Sequence, residues 1–65
     1  MADFAPELKA ILKQHGCYLK RQGRGDHEIW YSPISNRAFT VDGKIKSRHT
    51  ANAVLKQAGL RNIRL

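Results

Sequence analysis

Cysteine is nearly absent from this 65-residue chain: Cys17 is the only one. A lone thiol closes no internal disulfide and offers no cysteine set to a metal. That points to a reducing cytosol rather than secretion, so a cytoplasmic location is expected. Cys17 itself reads as a small core residue. Long apolar runs are missing as well, and none approaches the ~20 residues of a membrane span. The opening Met1-Ala2-Asp3-Phe4 lacks the basic and apolar regions of a signal peptide. Acidic residues are few, five against twelve Lys and Arg, which leaves a net charge of +7. Such a balance favours a polyanionic partner. Charge alone does not separate DNA, RNA, an acidic membrane and an acidic protein. The helices are too short and too poor in lysine on one face for a membrane-surface role, so nucleic acid ranks first.

What the chain does contain is enough for one small domain, residues 1–65. A domain of this size buries only about 60% of its unfolded surface and has a thin stability margin. It has no room for a second module or a deep cofactor cleft, and no cofactor is expected.

Apolar spacing predicts a helix over Pro6 to His15, with Leu8, Ile11, Leu12 and His15 at i, i+3, i+4, i+7. Pro6 suits a first helical position, Phe4 a staple on Leu8, and Gly16 a left-handed exit. Strands are expected at Cys17–Gln22, His27–Ser32 and Arg37–Val41, with a turn through Pro33 and Asn36. Asp42-Gly43 breaks the third. Ser47 is a plausible N-cap for a second helix with Ala51, Val54, Leu55 and Ala58 as its apolar stripe, ended by Gly59. The tail Leu60–Leu65 fits strand or coil. Ala10–Gly16 echoes Ala53–Gly59, read as two helices sharing one exit chemistry.

The order helix, three strands, helix predicts an α+β fold: a three-stranded antiparallel sheet with two helices on one face. Its expected core is Leu8, Ile11, Leu12, Leu19, Ile29, Phe39, Val41, Val54 and Leu55. Tyr18, Lys20, Glu28, Trp30 and Thr40 are expected on the opposite face. That face is too aromatic to be merely solvated.

One stretch stands out, Arg21-Gln22-Gly23-Arg24-Gly25-Asp26-His27-Glu28-Ile29-Trp30. Gly23 and Gly25 permit positive φ and close approach of a ligand to the backbone. The turn delivers His27 to the mouth of a strand, and a histidine takes and gives protons near cell pH. Arg21 and Arg24 are candidates for a phosphate clamp, since a guanidinium binds phosphate in two-pronged fashion; a solvated basic surface is the competing reading. Gln22 orients backbone or a base edge, or is strand filler. Lys44, Lys46, Arg48 and His49 gather at the start of the second helix, where an anion is favoured. His15 reads as a dipole-favoured or half-buried residue. The three histidines lack ligand spacing and no acidic cluster accompanies them, so no metal site is expected. Gly23-Arg24-Gly25 is too short for a nucleotide-binding loop.

These elements together resemble the HicA toxin family, the YcfA-like mRNA interferases. That family's pattern is carried here by Gly16-Cys17, Arg21-Gln22, Gly25-Asp26-His27, Ile29-Trp30-Tyr31 and Leu55-Lys56-Gln57-Ala58-Gly59-Leu60. The resemblance covers nearly the whole chain. It implies a fold like a double-stranded-RNA-binding domain, α-β-β-β-α. It implies the toxin of a type II toxin–antitoxin system that cleaves mRNA without metal and is neutralised by a HicB-type antitoxin. His27 lines up with the family's essential histidine, with Arg21, Gln22, Arg24, Gly25, Lys44, Lys46, Arg48 and His49 as RNA-binding candidates. Asp26 stands where Ser is common, and Glu28 where a second His or an apolar residue is frequent.

Metal-free RNA cleavage uses the neighbouring 2′-OH as nucleophile. A base removes its proton, an acid protonates the 5′-oxygen, and cations stabilise the phosphorane. His27 serves as base or acid, and His49 is a weaker candidate for the acid. Two other readings compete. One is a small RNA-binding module without catalysis, acting through the second helix's basic cluster. The other is a basic surface that pairs with an acidic protein.

Overall fold

The computed structural model describes residues 3–65. Helix α1 (Ala5–Gln14) leads into strands β1 (Tyr18–Gln22), β2 (Glu28–Ser32) and β3 (Arg37–Val41), and helix α2 (Arg48–Gln57) follows. Both hairpins are antiparallel and the sheet order is β1-β2-β3. This is the expected α+β arrangement, α-β-β-β-α. Among the described residues no helix is long and apolar enough to cross a membrane.

Local chemistry accounts for the elements. Pro sits in the first turn of α1, where its missing N–H costs nothing. At the exit Gly16 takes φ +86°. Ser47 caps α2 through its side-chain oxygen, which accepts from the His49 N–H at 3.1 Å. Asn36, at φ 54°, closes the β2–β3 loop in the left-handed conformation that Asn tolerates. That loop is pinned to the end of α2. Buried Ser32 donates its hydroxyl to the Ala58 carbonyl at 2.6 Å, and Ser35 donates to the Gln57 carbonyl at 2.8 Å. Two carbonyls that a helix end leaves without partners are thereby satisfied. His15, at the C-cap of α1, is exposed rather than half-buried.

One core joins both helices to one side of the sheet. Leu8 and Leu12 of α1 meet Ala51, Val54 and Leu55 of α2 over Phe39 and Val41, and Ile45, Cys17 and Leu60 close the edges. The tail 60–65 is neither helix nor strand. Ile63 and Leu65 pack on the core, and the Leu65 N–H donates to Asn52 Oδ1 at 2.7 Å.

β2 departs from expectation. Trp30 is 2% exposed and lies in the core, whereas Ile29 and Tyr31 turn to the open side. Trp30 pairs with Phe39 across β3, so these two share a face. Alternation defines two faces but does not say which is covered; the indole buries more area than Ile29 could. Its N–H donates to Glu28 Oε1 at 2.9 Å, and Lys9 reaches the same oxygen at 3.1 Å. Leu19 also leaves the expected core at 47% exposure. It faces the helices opposite Trp30, but β1 is the edge strand and all five of its residues are exposed. Ile11 is only partly buried.

The Trp30 indole and Lys9 hold the Glu28 carboxyl below its usual range, the indole contributing most. A carboxyl depressed in the folded state adds stability above its unfolded pKa, and that increment fades as pH falls through the folded value. Glu28→Gln is therefore expected to flatten the acid limb of a plot of thermal midpoint against pH below about pH 5, the range of unperturbed carboxyls. An unchanged limb would remove Glu28 from the acid response.

Candidate functional site

The β2–β3 register brings a second residue to His27. Glu28 pairs with Val41, so the next residue outward on each strand is His27 on one side and Asp42 on the other. Asp42 Oδ1 lies 2.9 Å from His27 Nδ1, within hydrogen-bonding distance. With Nδ1 set against that carboxylate, Nε2 is the ring nitrogen left without a hydrogen bond among the described residues. The ring stays accessible, its side chain 48% exposed. Asp26 is the other near carboxylate, with Oδ1 4.0 Å from Nε2, too far for a direct hydrogen bond.

The turn before β2 fixes the imidazole's backbone. The His27 carbonyl accepts from the Gly23 N–H and from Gln22 Nε2, each at 2.9 Å, and the His27 N–H donates to the Arg24 carbonyl at 2.9 Å. Gln22 thus acts on backbone. The two glycines differ. Gly25 takes positive φ, +56°, with open space around it. Gly23 does not have positive φ; a Cβ there would stand 3.1 Å from the His27 carbonyl oxygen. Gly43 completes the fit, because a Cβ on it would come within 2.6 Å of Asp26 Oδ2. The 23–26 turn therefore seats Asp26 directly against Gly43, next to Asp42.

Asp42 and Gly43 read in sequence only as a strand breaker. The signal that finds Asp42 is register: once the loop between Ser32 and Arg37 is counted, each pair outward is fixed, and the last is His27 with Asp42. Glu28 is settled by the same alternation. It points to the helix side, bonded to Trp30 and Lys9, and does not flank the imidazole.

The basic candidates divide into groups. Arg21 and Arg24 are exposed, and neither joins an ion pair among the described residues. Arg21 stands opposite Ile29, beyond a bulge at Lys20. Lys44 and Lys46 are exposed on the loop that follows Asp42, either side of buried Ile45. Arg48 lays its guanidinium over the Phe4 ring, 5.7 Å from the centroid. His49 opens a groove of about 410 Å³ along α2, with Asn52, Lys56, Arg61 and Arg64 on its walls. Arg61 and Arg64 become part of a basic surface only because the tail folds back on α2. His27 and the Lys44–Lys46 loop are linked through Asp42, whereas His49 faces this separate groove.

Comparison with protein families matches residues 5–60 to the family described as HicA toxin of bacterial toxin-antitoxin. Comparisons with curated proteins and with solved structures give no match.

Proposed function

We propose, from the premise that the chain belongs to the HicA toxin family of bacterial toxin–antitoxin systems, that it is a metal-independent endoribonuclease acting on mRNA through His27. The single observation that supports this most is the exposed His27–Asp42 pair at 2.9 Å. Nε2 takes the proton of a ribose 2′-OH. The 2′-oxygen attacks the adjacent phosphorus, the phosphorus–5′-oxygen bond breaks, the 5′-oxygen takes a proton from water to become a 5′-hydroxyl, and a 2′,3′-cyclic phosphate remains. Asp42 keeps the imidazole oriented and stabilises its charged form once the proton has arrived. Arg21, Arg24, Gly25, Lys44 and Lys46 supply cations and backbone room for the phosphate, Gln22 holds the His27 backbone, and Arg48 and His49 extend the basic surface. A toxin of such a system has an antitoxin partner, and here a HicB-type protein fills that role in the cytoplasm.

The test is RNA incubated with the protein freed of its antitoxin, in excess EDTA. Shortened RNA supports the reading. Binding without shortening would leave a small RNA-binding module. Asp42→Asn separates orientation from fold. It is expected to lower kcat by at least about tenfold, because an amide leaves a catalytic imidazole in the wrong tautomer, with KM and the thermal midpoint unmoved. Full activity in that variant would remove Asp42 from the mechanism.

A further inference from the structure

The helices cover one side of the sheet only. Tyr18, Ile29, Tyr31, Ala38 and Thr40 lie on the other, as the pairs Tyr18–Tyr31, Tyr31–Ala38 and Ile29–Thr40 require. Tyr18 is 52% exposed. Its ring centroid stands 5.6 Å from that of Tyr31, with the planes tilted by 42°. The Lys20 ammonium lies 5.9 Å from the Tyr31 centroid, and the bulge at Lys20 brings Arg21 opposite Ile29 on the same side. Glu28 is the only acid in the three strands, and it points to the helices.

His27 belongs to this open side. Residues 27, 29 and 31 alternate with 28, 30 and 32, so the imidazole shares its face with Ile29 and Tyr31. Four residue steps run from His27, just before β2, to Tyr31, about 13 Å at roughly 3.3 Å each. Two tyrosine rings and two cations therefore stand on the same surface as the candidate catalytic group, a short stretch of extended RNA away.

We infer that the open sheet face is a platform for single-stranded RNA, on which Tyr18 and Tyr31 stack bases and Lys20 and Arg21 hold phosphates while the strand runs along β2 to His27. The inference rests on the ribonuclease reading and deepens it by naming an unpaired substrate. Bases inside a duplex hide their faces, whereas a splayed single strand offers them to aromatic rings. Stacking tolerates any base, because each has a π-face. The two cations would draw an acidic protein as well. Continuity with His27 and the pairing of rings with cations favour RNA.

The experiment measures binding of a short unstructured, labelled RNA to the antitoxin-free His27→Ala protein by fluorescence anisotropy. In that background, Tyr18→Ala with Tyr31→Ala is expected to weaken binding roughly 5- to 150-fold for each stacked base lost. The paired Tyr→Phe changes are expected to retain it. The alanine variants keep the salt dependence, whereas Lys20→Gln and Arg21→Gln each lower the slope by about 0.7. Circular dichroism of every variant shows whether the fold is kept. Equal affinity of the folded alanine variant and its parent would overturn the platform. So would alanine variants that lose only the antitoxin complex, since the face would then dock a protein. The two readings fail differently. A wild-type protein that binds RNA through the tyrosines without cutting it overturns the ribonuclease reading and leaves the platform. A protein that cuts RNA at an undiminished rate with both tyrosines replaced overturns the platform and leaves the ribonuclease.

Discussion

His27→Ala is expected to abolish RNA cleavage and growth inhibition while leaving RNA binding largely intact. General acid–base help contributes roughly 10²–10⁴-fold, about 3–5 kcal/mol of the barrier. The other two imidazoles are placed elsewhere: His15 caps α1 and His49 faces the groove along α2. The fold should survive, because the His27 side chain is 48% exposed and the hydrogen bonds that hold the turn use its backbone, which alanine keeps. A cleavage time course with the purified variant, beside a binding curve, checks both halves. Cleavage that persists would remove His27 from the chemistry. Binding lost along with cleavage would show that the imidazole holds substrate rather than moving protons.

Trp30→Ala is expected to unfold the protein at 25 °C. Emptying a site of that size in a packed core costs about 3–5 kcal/mol. Domains of under 70–80 residues rarely have more than 3–5 kcal/mol in total. Trp30 is among the largest fully buried side chains, and it also donates to Glu28. The ring lies in one core with Phe39, Leu8 and Leu55, so no separate unit would persist without it. Trp30→Phe keeps most of the bulk and loses the N–H. Its midpoint is expected to fall by on the order of 6–24 °C, as the loss of one hydrogen bond to a charged group implies. Thermal unfolding followed by circular dichroism reads both variants. A cooperative transition in Trp30→Ala near the parent's midpoint would show that the core does not depend on the indole.

The contrast between Trp30 and His27 shows how far the sequence could be read. Helical periodicity, Gly16, Ser47 and the Asn36 turn are local signals, and each element formed within a residue of its expected bounds. The covered side of β2 is not local. It depends on where α1 and α2 lie, and an alternating strand with Ile29 and Tyr31 on one side and Trp30 on the other is apolar on both. Leu19 shows the same limit, since exposure at a sheet edge depends on what covers it. At the candidate site, the neighbouring glycines and arginines in the sequence draw attention to His27 and Gln22. Asp42 is not legible in the sequence because its contact with His27 forms only across a strand pair, fifteen positions along the chain. Arg61 and Arg64 were hidden because the tail has no regular structure to place them.

Chemical analysis of the RNA ends tests the central claim most directly. Transcripts cut by the antitoxin-free protein in excess EDTA are expected to carry a 2′,3′-cyclic phosphate on one fragment and a 5′-hydroxyl on the other. They should stay whole where the ribose at the cut lacks its 2′-OH. A 5′-phosphate on the downstream fragment, or cutting beside a deoxyribose, would contradict proton abstraction from the ribose by His27.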